Sequence, residues 1–153
     1  MAADGSHGPR PFQQRRASTT FLRVPADEWV TVTRGFKTEF RATPSAVSKL
    51  WSVKVPTPVV AYRHRTSSDK YDSCLMVLTA KWLEPLGAIS AESLCNEGFD
   101  TMAEFRRYWM QRTKRRFTPT RMVTVYRVRP WEQEDAEVFS RRILGLLYGE
   151  FMP

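Results

Sequence analysis

The stretch CLMVLTAKWLEPL, residues 74–86, constrains the fold most. It opens as a continuous apolar run and stops at Pro85 and Gly87, the pattern of a central strand. A central strand needs partners on both sides, and three other segments supply candidates. TRMVTVYRVRPW (120–131) alternates strictly, with Met122, Thr124, Tyr126 and Val128 on one face and Val123, Val125, Arg127 and Arg129 on the other. TPVVAYRHR (57–65) alternates before the turn-rich TSSDKYDS, and FLRV (21–24) is a short apolar strand halted at Pro25.

Helices interrupt these strands. In PADEWVTVTRG, Asp27 and Glu28 occupy a first turn after Pro25, Trp29 and Val32 lie three apart, and Gly35 stands where a left-handed C-cap belongs. The β-branched residues 30–33 favour a strand locally; the Pro and Gly at either end decide for a short helix. SAESLCNEGF reads as a helix capped by Ser90 and ended by Gly98. DTMAEFRRYWMQRTKRR starts another, with Thr101 and Glu104 at capping-box spacing and Met102, Phe105 and Trp109 as an apolar stripe. A last amphipathic helix runs through EDAEVFSRRILGLLYGEF, its apolar face made by Val138, Phe139, Ile143, Leu146, Leu147 and Phe151.

At 153 residues the chain suits one domain. The pattern is α+β: a small mixed β-barrel or strongly curved sheet with short helices inserted, plus a C-terminal helix. Residues 1–18, rich in Gly, Pro, Gln, Ser and Arg, read as a disordered basic tail. Residues 19–131 form the domain, and 132–153 a helix packed on it or used for a weak homodimer contact.

The formal net charge is +8, a field that attracts polyanions and makes nucleic acid the leading partner class. Arginine outnumbers lysine, as in a high-GC bacterium or its phage. No apolar run approaches the roughly 20 residues that cross a bilayer. MAADGSHGPRPFQQRRAS lacks the apolar segment of a secretory signal, so the expected compartment is the cytoplasm. Cys74 and Cys95 form no CxxC and read as core thiols, while His64 reads as a surface or partly buried strand residue. Metal-ligand spacing is absent, and neither a metal nor a cofactor is expected.

The chemistry concentrates in TRGFKTEFRATP, residues 33–44. After Gly35, an extended segment sets Lys37, Glu39 and Arg41 on one side. Lys37 offers a compact cation for a phosphate or base carbonyl, and Arg41 a planar fork and stacking surface. Glu39 can accept from an exocyclic amine or brace the arginine. Trp29, Phe36, Tyr62, Tyr108 and Trp109 are available for stacking. A second group, Arg106, Arg107, Arg112, Lys114, Arg115 and Arg116, falls within eleven residues with no acid among them. It is either a phosphate-tracking patch or a face matched to the negative end of a helix dipole. Trp82, Leu83 and Leu86 read as core.

GFKTEFR resembles the GxKxxExR signature of ASCH domains (activating signal cointegrator homology), members of the PUA-like superfamily. The insert ISAESLCNEGFDTMAEFRRYW is similar to the helical stretch of that family, with its EGF and F-x-x-x-W, and VTVYRVRPW to its closing strand. The resemblance spans roughly residues 20–131. It implies a PUA-like barrel that binds RNA or a modified base in a cleft between barrel and helices, here around Gly35, Lys37, Glu39 and Arg41. It also implies an alternative: some ASCH-like proteins hydrolyse acylated cytidine with the motif lysine, a threonine and a glutamate of the insert. Lys37 and Glu97 match two of these, whereas Thr38 directly follows the lysine and would face the other way in a strand. Binding is favoured over catalysis; ribonuclease-type cleavage and a protein-interaction module are the further alternatives.

Overall fold

The computed structural model describes residues 20–44, 48–63, 73–141 and 143. The expected basic tail, His64 and the residues Leu146, Leu147 and Phe151 of the last helix lie outside them. In chain order the elements are β1 (Phe21–Val24), a 3-10 turn (Ala26–Glu28) leading into α1 (Trp29–Thr33), β2 (Glu39–Ala42), α2 (Lys49–Ser52), β3 (Thr57–Arg63), β4 (Ser73–Pro85), α3 (Ala91–Asn96), α4 (Met102–Thr113), β5 (Met122–Pro130) and α5 (Asp135–Val138).

The apolar run takes the centre of the sheet, as its composition predicts. The strand order is β1-β3-β4-β5-β2, with β1 parallel to β3 and every other pair antiparallel. The result is a curled, mixed half-barrel sheet with short helices, an α+β architecture. The parallel β1–β3 pair has no local sequence signal, because the two strands are joined through α1, β2 and α2.

β4 carries one irregularity, at Thr79. Leu78 pairs with Val128 and Ala80 with Arg127, so Thr79 is an extra residue opposite β5. Its hydroxyl donates to the Arg127 carbonyl at 3.2 Å. Side chains alternate along a strand, so one extra residue exchanges the faces beyond it. Leu78 packs in a first core cluster with Leu22, Val32, Val59, Met76, Tyr126 and Val128. Trp82, of the same parity, packs against a second cluster of Leu86, Phe105, Trp109, Val123 and Val125. The alternation expected for β5 therefore serves two cores, one on each face of the sheet.

α1 and α2 close the first cluster through Val32, Trp29 and Leu50. α3 and α4 close the second through Leu94, Phe105 and Trp109. The caps fall where they were expected: Ser90 accepts from the Ser93 amide and Thr101 from the Glu104 amide. Two core expectations are corrected. Leu83, paired with Thr124 on the face opposite Trp82 and the second cluster, is half exposed. Cys95 is exposed on the outer side of α3, while Cys74 packs against the first cluster, and both are free thiols. α5 is clamped to β5 by Arg129, which donates to both Asp135 carboxylate oxygens at 2.7 Å. Phe139 then turns in against Trp131, with ring centroids 6.2 Å apart. Among the described residues no helix is long and apolar enough to cross a membrane.

Candidate functional site

The motif begins at a chain reversal that only glycine accommodates comfortably. Gly35 has φ +80°, and a Cβ there would meet Pro130 Cγ at 3.0 Å. The turn is closed by the amides of Phe36 and Lys37, which both donate to the Thr31 carbonyl at 2.8 and 3.0 Å. Lys37 thus precedes the strand; β2 starts at Glu39, two residues later than the alternation alone predicts. The Thr38 amide donates to the Asn96 carbonyl, and its own carbonyl accepts from the Val128 amide, each at 2.8 Å. This pins the motif between the end of α3 and β5.

Lys37, Glu39 and Arg41 do share one side, but that side is interior. Their side chains are 4%, 0% and 1% exposed, and Glu97 beside them is 2% exposed. Glu97 joins the two cations: one oxygen accepts from Lys37 Nζ at 3.2 Å, the other from Arg41 at 3.1 Å. Lys37 also donates to Glu28 at 2.8 Å, and Arg41 to Glu84. Glu39 accepts from Ser93 at 2.9 Å and from Asn96 at 2.5 Å, which fixes α3 against β2. Arg127, over the Trp82 ring, reaches Glu39 at 3.5 Å. Buried charges are tolerated only when paired and hydrogen-bonded, and this network meets that condition nearly everywhere. Among the described residues, Glu28 Oε2 and Arg41 Nε are its buried side-chain atoms without a partner.

Lys37 is also boxed in by rings. Its ammonium lies 4.9 Å from the Tyr108 centroid, 5.1 Å from Phe40 and 5.8 Å from Phe99. Burial pulls the ammonium pKa down, yet Glu97, Tyr108 and Glu28 together outweigh it and hold the group above the ordinary lysine value. Burial pushes Glu97 above the usual carboxylate range, against the pull of Lys37 and Arg41. Tyr108 donates to Glu28 at 2.8 Å; burial, opposed by Lys37, pushes its phenol up to about 12.

One concavity of about 370 Å³ opens on this group, lined by Asp27, Glu28, Thr31, Phe36, Lys37, Glu97, Gly98, Phe99 and Tyr108. Phe36 stands on its wall 72% exposed. A second, of about 350 Å³, is lined by Arg23, Pro25, Ala26, Asp27 and Arg112. Asp27 borders both, and Arg112 donates to its two oxygens at 2.9 and 2.7 Å. The guanidinium holds the Asp27 carboxyl below its usual range. α4 runs beside both hollows, with Tyr108 on the first and Arg112, one turn on, at the second.

The other predicted residues divide cleanly. Arg106, Arg107, Lys114, Arg115 and Arg116 are exposed, and Lys114 ends α4 in a left-handed conformation. Of the rings expected to be free for stacking, Phe36 and Tyr108 line the concavity. Trp109 is core, Trp29 packs on the first cluster, and Tyr62 meets Phe21 edge-on at 5.9 Å. Thr38 is not among the lining residues; the threonine that is, Thr31, donates its hydroxyl proton to the Glu28 carbonyl at 2.9 Å. Glu28, Glu84, Phe99 and Asn96 were not singled out from sequence. Glu28 had a signal of its own, an acid at the start of a helix, but one that pointed to the helix dipole. Among the described residues no His, Cys, Asp and Glu cluster has the makings of a metal site.

No protein-family model and no curated protein matches the sequence. Solved structures do match in fold. A protein of the DUF984 family from Enterococcus faecalis V583 superposes with a TM-score of 0.53 at 13% identity, covering 78% of this chain and 81% of that one. The ASCH domain from Lactobacillus crispatus JV V101 gives 0.50 at 11% identity, covering 72% and 79%. The chain has the ASCH fold. At these identities the likeness is one of backbone path, and the chemistry of this ASCH-fold protein has to be read from its own side chains. In it, the junction of motif and helical insert is the Lys37–Glu97–Arg41 bridge.

Proposed function

We propose that the chain binds RNA, a base entering the concavity beside Phe36 while the backbone follows the exposed cations of α4 and its exit. The observation that carries this reading is the continuity of the two parts. Tyr108 and Arg112 lie on one helix, bordering adjoining hollows that share Asp27, and the acid-free run Lys114, Arg115 and Arg116 follows directly. A base stacked on an exposed ring gains about 1–3 kcal/mol whatever its identity, and phosphate contacts supply salt-dependent affinity. Lys37 and Arg41 then act differently from two free cations: both are already paired with carboxylates, Lys37 as part of the wall of the hollow and Arg41 behind it, holding Glu97.

The test is binding of single-stranded RNA by fluorescence anisotropy across a salt series. The double charge reversal Arg115→Glu with Arg116→Glu touches exposed side chains only. It should weaken binding at least about tenfold and make the salt dependence shallower by about two charges. Equal affinity and equal slope would remove the patch from the site.

Hydrolysis of a modified cytidine or of RNA is a second reading, favoured by one observation: Lys37 and Glu97 touch at 3.2 Å on the wall of the same hollow. A carboxyl whose pKa is raised by burial suits proton transfer near neutral pH. Turnover of N4-acetylcytidine or of labelled RNA, lost in Glu97→Gln, would establish it; no turnover of either leaves binding as the function.

A further inference from the structure

The ion-pair network behind the concavity does not balance. Among the described residues four carboxylates, Glu28, Glu39, Glu84 and Glu97, meet three cations, Lys37, Arg41 and Arg127, an excess of one negative charge. Asp27 adds nothing to the excess, being matched by Arg112. The shortfall can be placed on one group. Both oxygens of Glu39, of Glu84 and of Glu97 accept a hydrogen bond. Glu28 Oε1 accepts from Lys37 and Tyr108, while Glu28 Oε2 is buried with no donor among the described residues. Glu28 lines the concavity and is 12% exposed. A carboxylate left short of partners in a desolvated wall is costly.

The rings beside it are not equally available. Tyr108 already has Lys37 at 4.9 Å and Arg112 at 5.4 Å over its ring, and Phe99 packs on Phe105 and Tyr108. Phe36 has no ring or cation contact among the described residues and is largely exposed on the wall. A hollow with one carboxylate that shares its only cation, Lys37, with Glu97 and one free aromatic face suits a flat group carrying positive charge, which the ring quadrupole and the carboxylate both attract.

We infer that the base taken up beside Phe36 is a positively charged one, a nucleobase made cationic by ring methylation, and that Glu28 selects it. This deepens the RNA-binding reading and rests on it. The charge, felt across the hollow, does the selecting; a direct hydrogen bond to Oε2 is not required.

The experiment uses the full chain and two short single-stranded RNAs of one sequence, with adenosine or 1-methyladenosine at a single central position. The methylated base, cationic at neutral pH, should bind about tenfold more tightly, the ratio expected of one partly desolvated cation–π and charge contact. In Glu28→Gln, of the same shape without the charge, that ratio should fall to within about twofold of one, with a thermal melt confirming the fold. The wild-type ratio alone is decisive should that variant not fold. Equal binding of the two RNAs, or a ratio kept in Glu28→Gln, overturns the selection by charge and leaves RNA binding standing. Failure of both RNAs to bind overturns both.

Discussion

Lys37 and Glu97 lie sixty residues apart in sequence and 3.2 Å apart in the interior. That contact couples the turn after α1 to the helical insert. Lys37 is also the cation shared with Glu28, so one side chain holds three segments. Replacing it with alanine would strand two carboxylates. Removing one partner of a buried pair costs about 3–5 kcal/mol. Urea unfolding of Lys37→Ala should show a loss of that order, while Arg115→Ala, exposed, should stay within about 0.5 kcal/mol of the parent.

The same group gives stability a defined dependence on alkali. Lys37 and Tyr108 both have folded-state pKa values above their ordinary ones of 10.5 and 10.0. Between the ordinary and the raised value, the folded protein holds a proton that the unfolded chain has released. Stability is therefore fully present below about pH 10 and declines as pH rises toward 12. Unfolding midpoints measured from pH 8 upward should fall in that window, and Tyr108→Phe should flatten the fall. A midpoint that is level across the window in the parent protein would contradict the buried phenol.

Phe36 separates binding from folding. Being 72% exposed, it adds little to the core. Phe36→Ala should leave the melting temperature nearly unchanged and weaken single-stranded RNA by about 1–3 kcal/mol, the worth of one stacked base. Undiminished affinity would move the base elsewhere.

Two glycines with positive φ should respond unequally to alanine. At Gly98, φ +93°, a Cβ meets nothing within 4 Å, so the cost is conformational, about 1–2 kcal/mol. At Gly35, φ +80°, the same cost is joined by contacts at 3.0 and 3.2 Å with the Pro130 ring. Gly35→Ala should therefore unfold at clearly lower urea than Gly98→Ala.

Much of this architecture was legible in the chain, for a reason that also marks the limit. Gly35 and Gly98 as helix ends, Ser90 and Thr101 as caps, and the central run 74–86 are local statements, and each was found where the residues placed it. The shared face of Lys37, Glu39 and Arg41 was legible too; its burial was not, because the covering α3 lies more than fifty residues downstream. Tyr108 and Glu28, eighty apart, meet only through the fold. Thr79 escaped for another reason. It is a polar residue in an apolar run, and nothing local says that it is not paired.

That extra residue has a consequence for how the domain can vary. Across Thr79 residues of one parity change sides: Met76 and Leu78 face the first cluster, Trp82 the second. Excising Thr79 would leave a strand of respectable composition whose Trp82 pointed at the wrong hemisphere of the molecule. Drift in length is thus forbidden at the middle of the longest strand, and any change of size in such a protein must be absorbed in its connections.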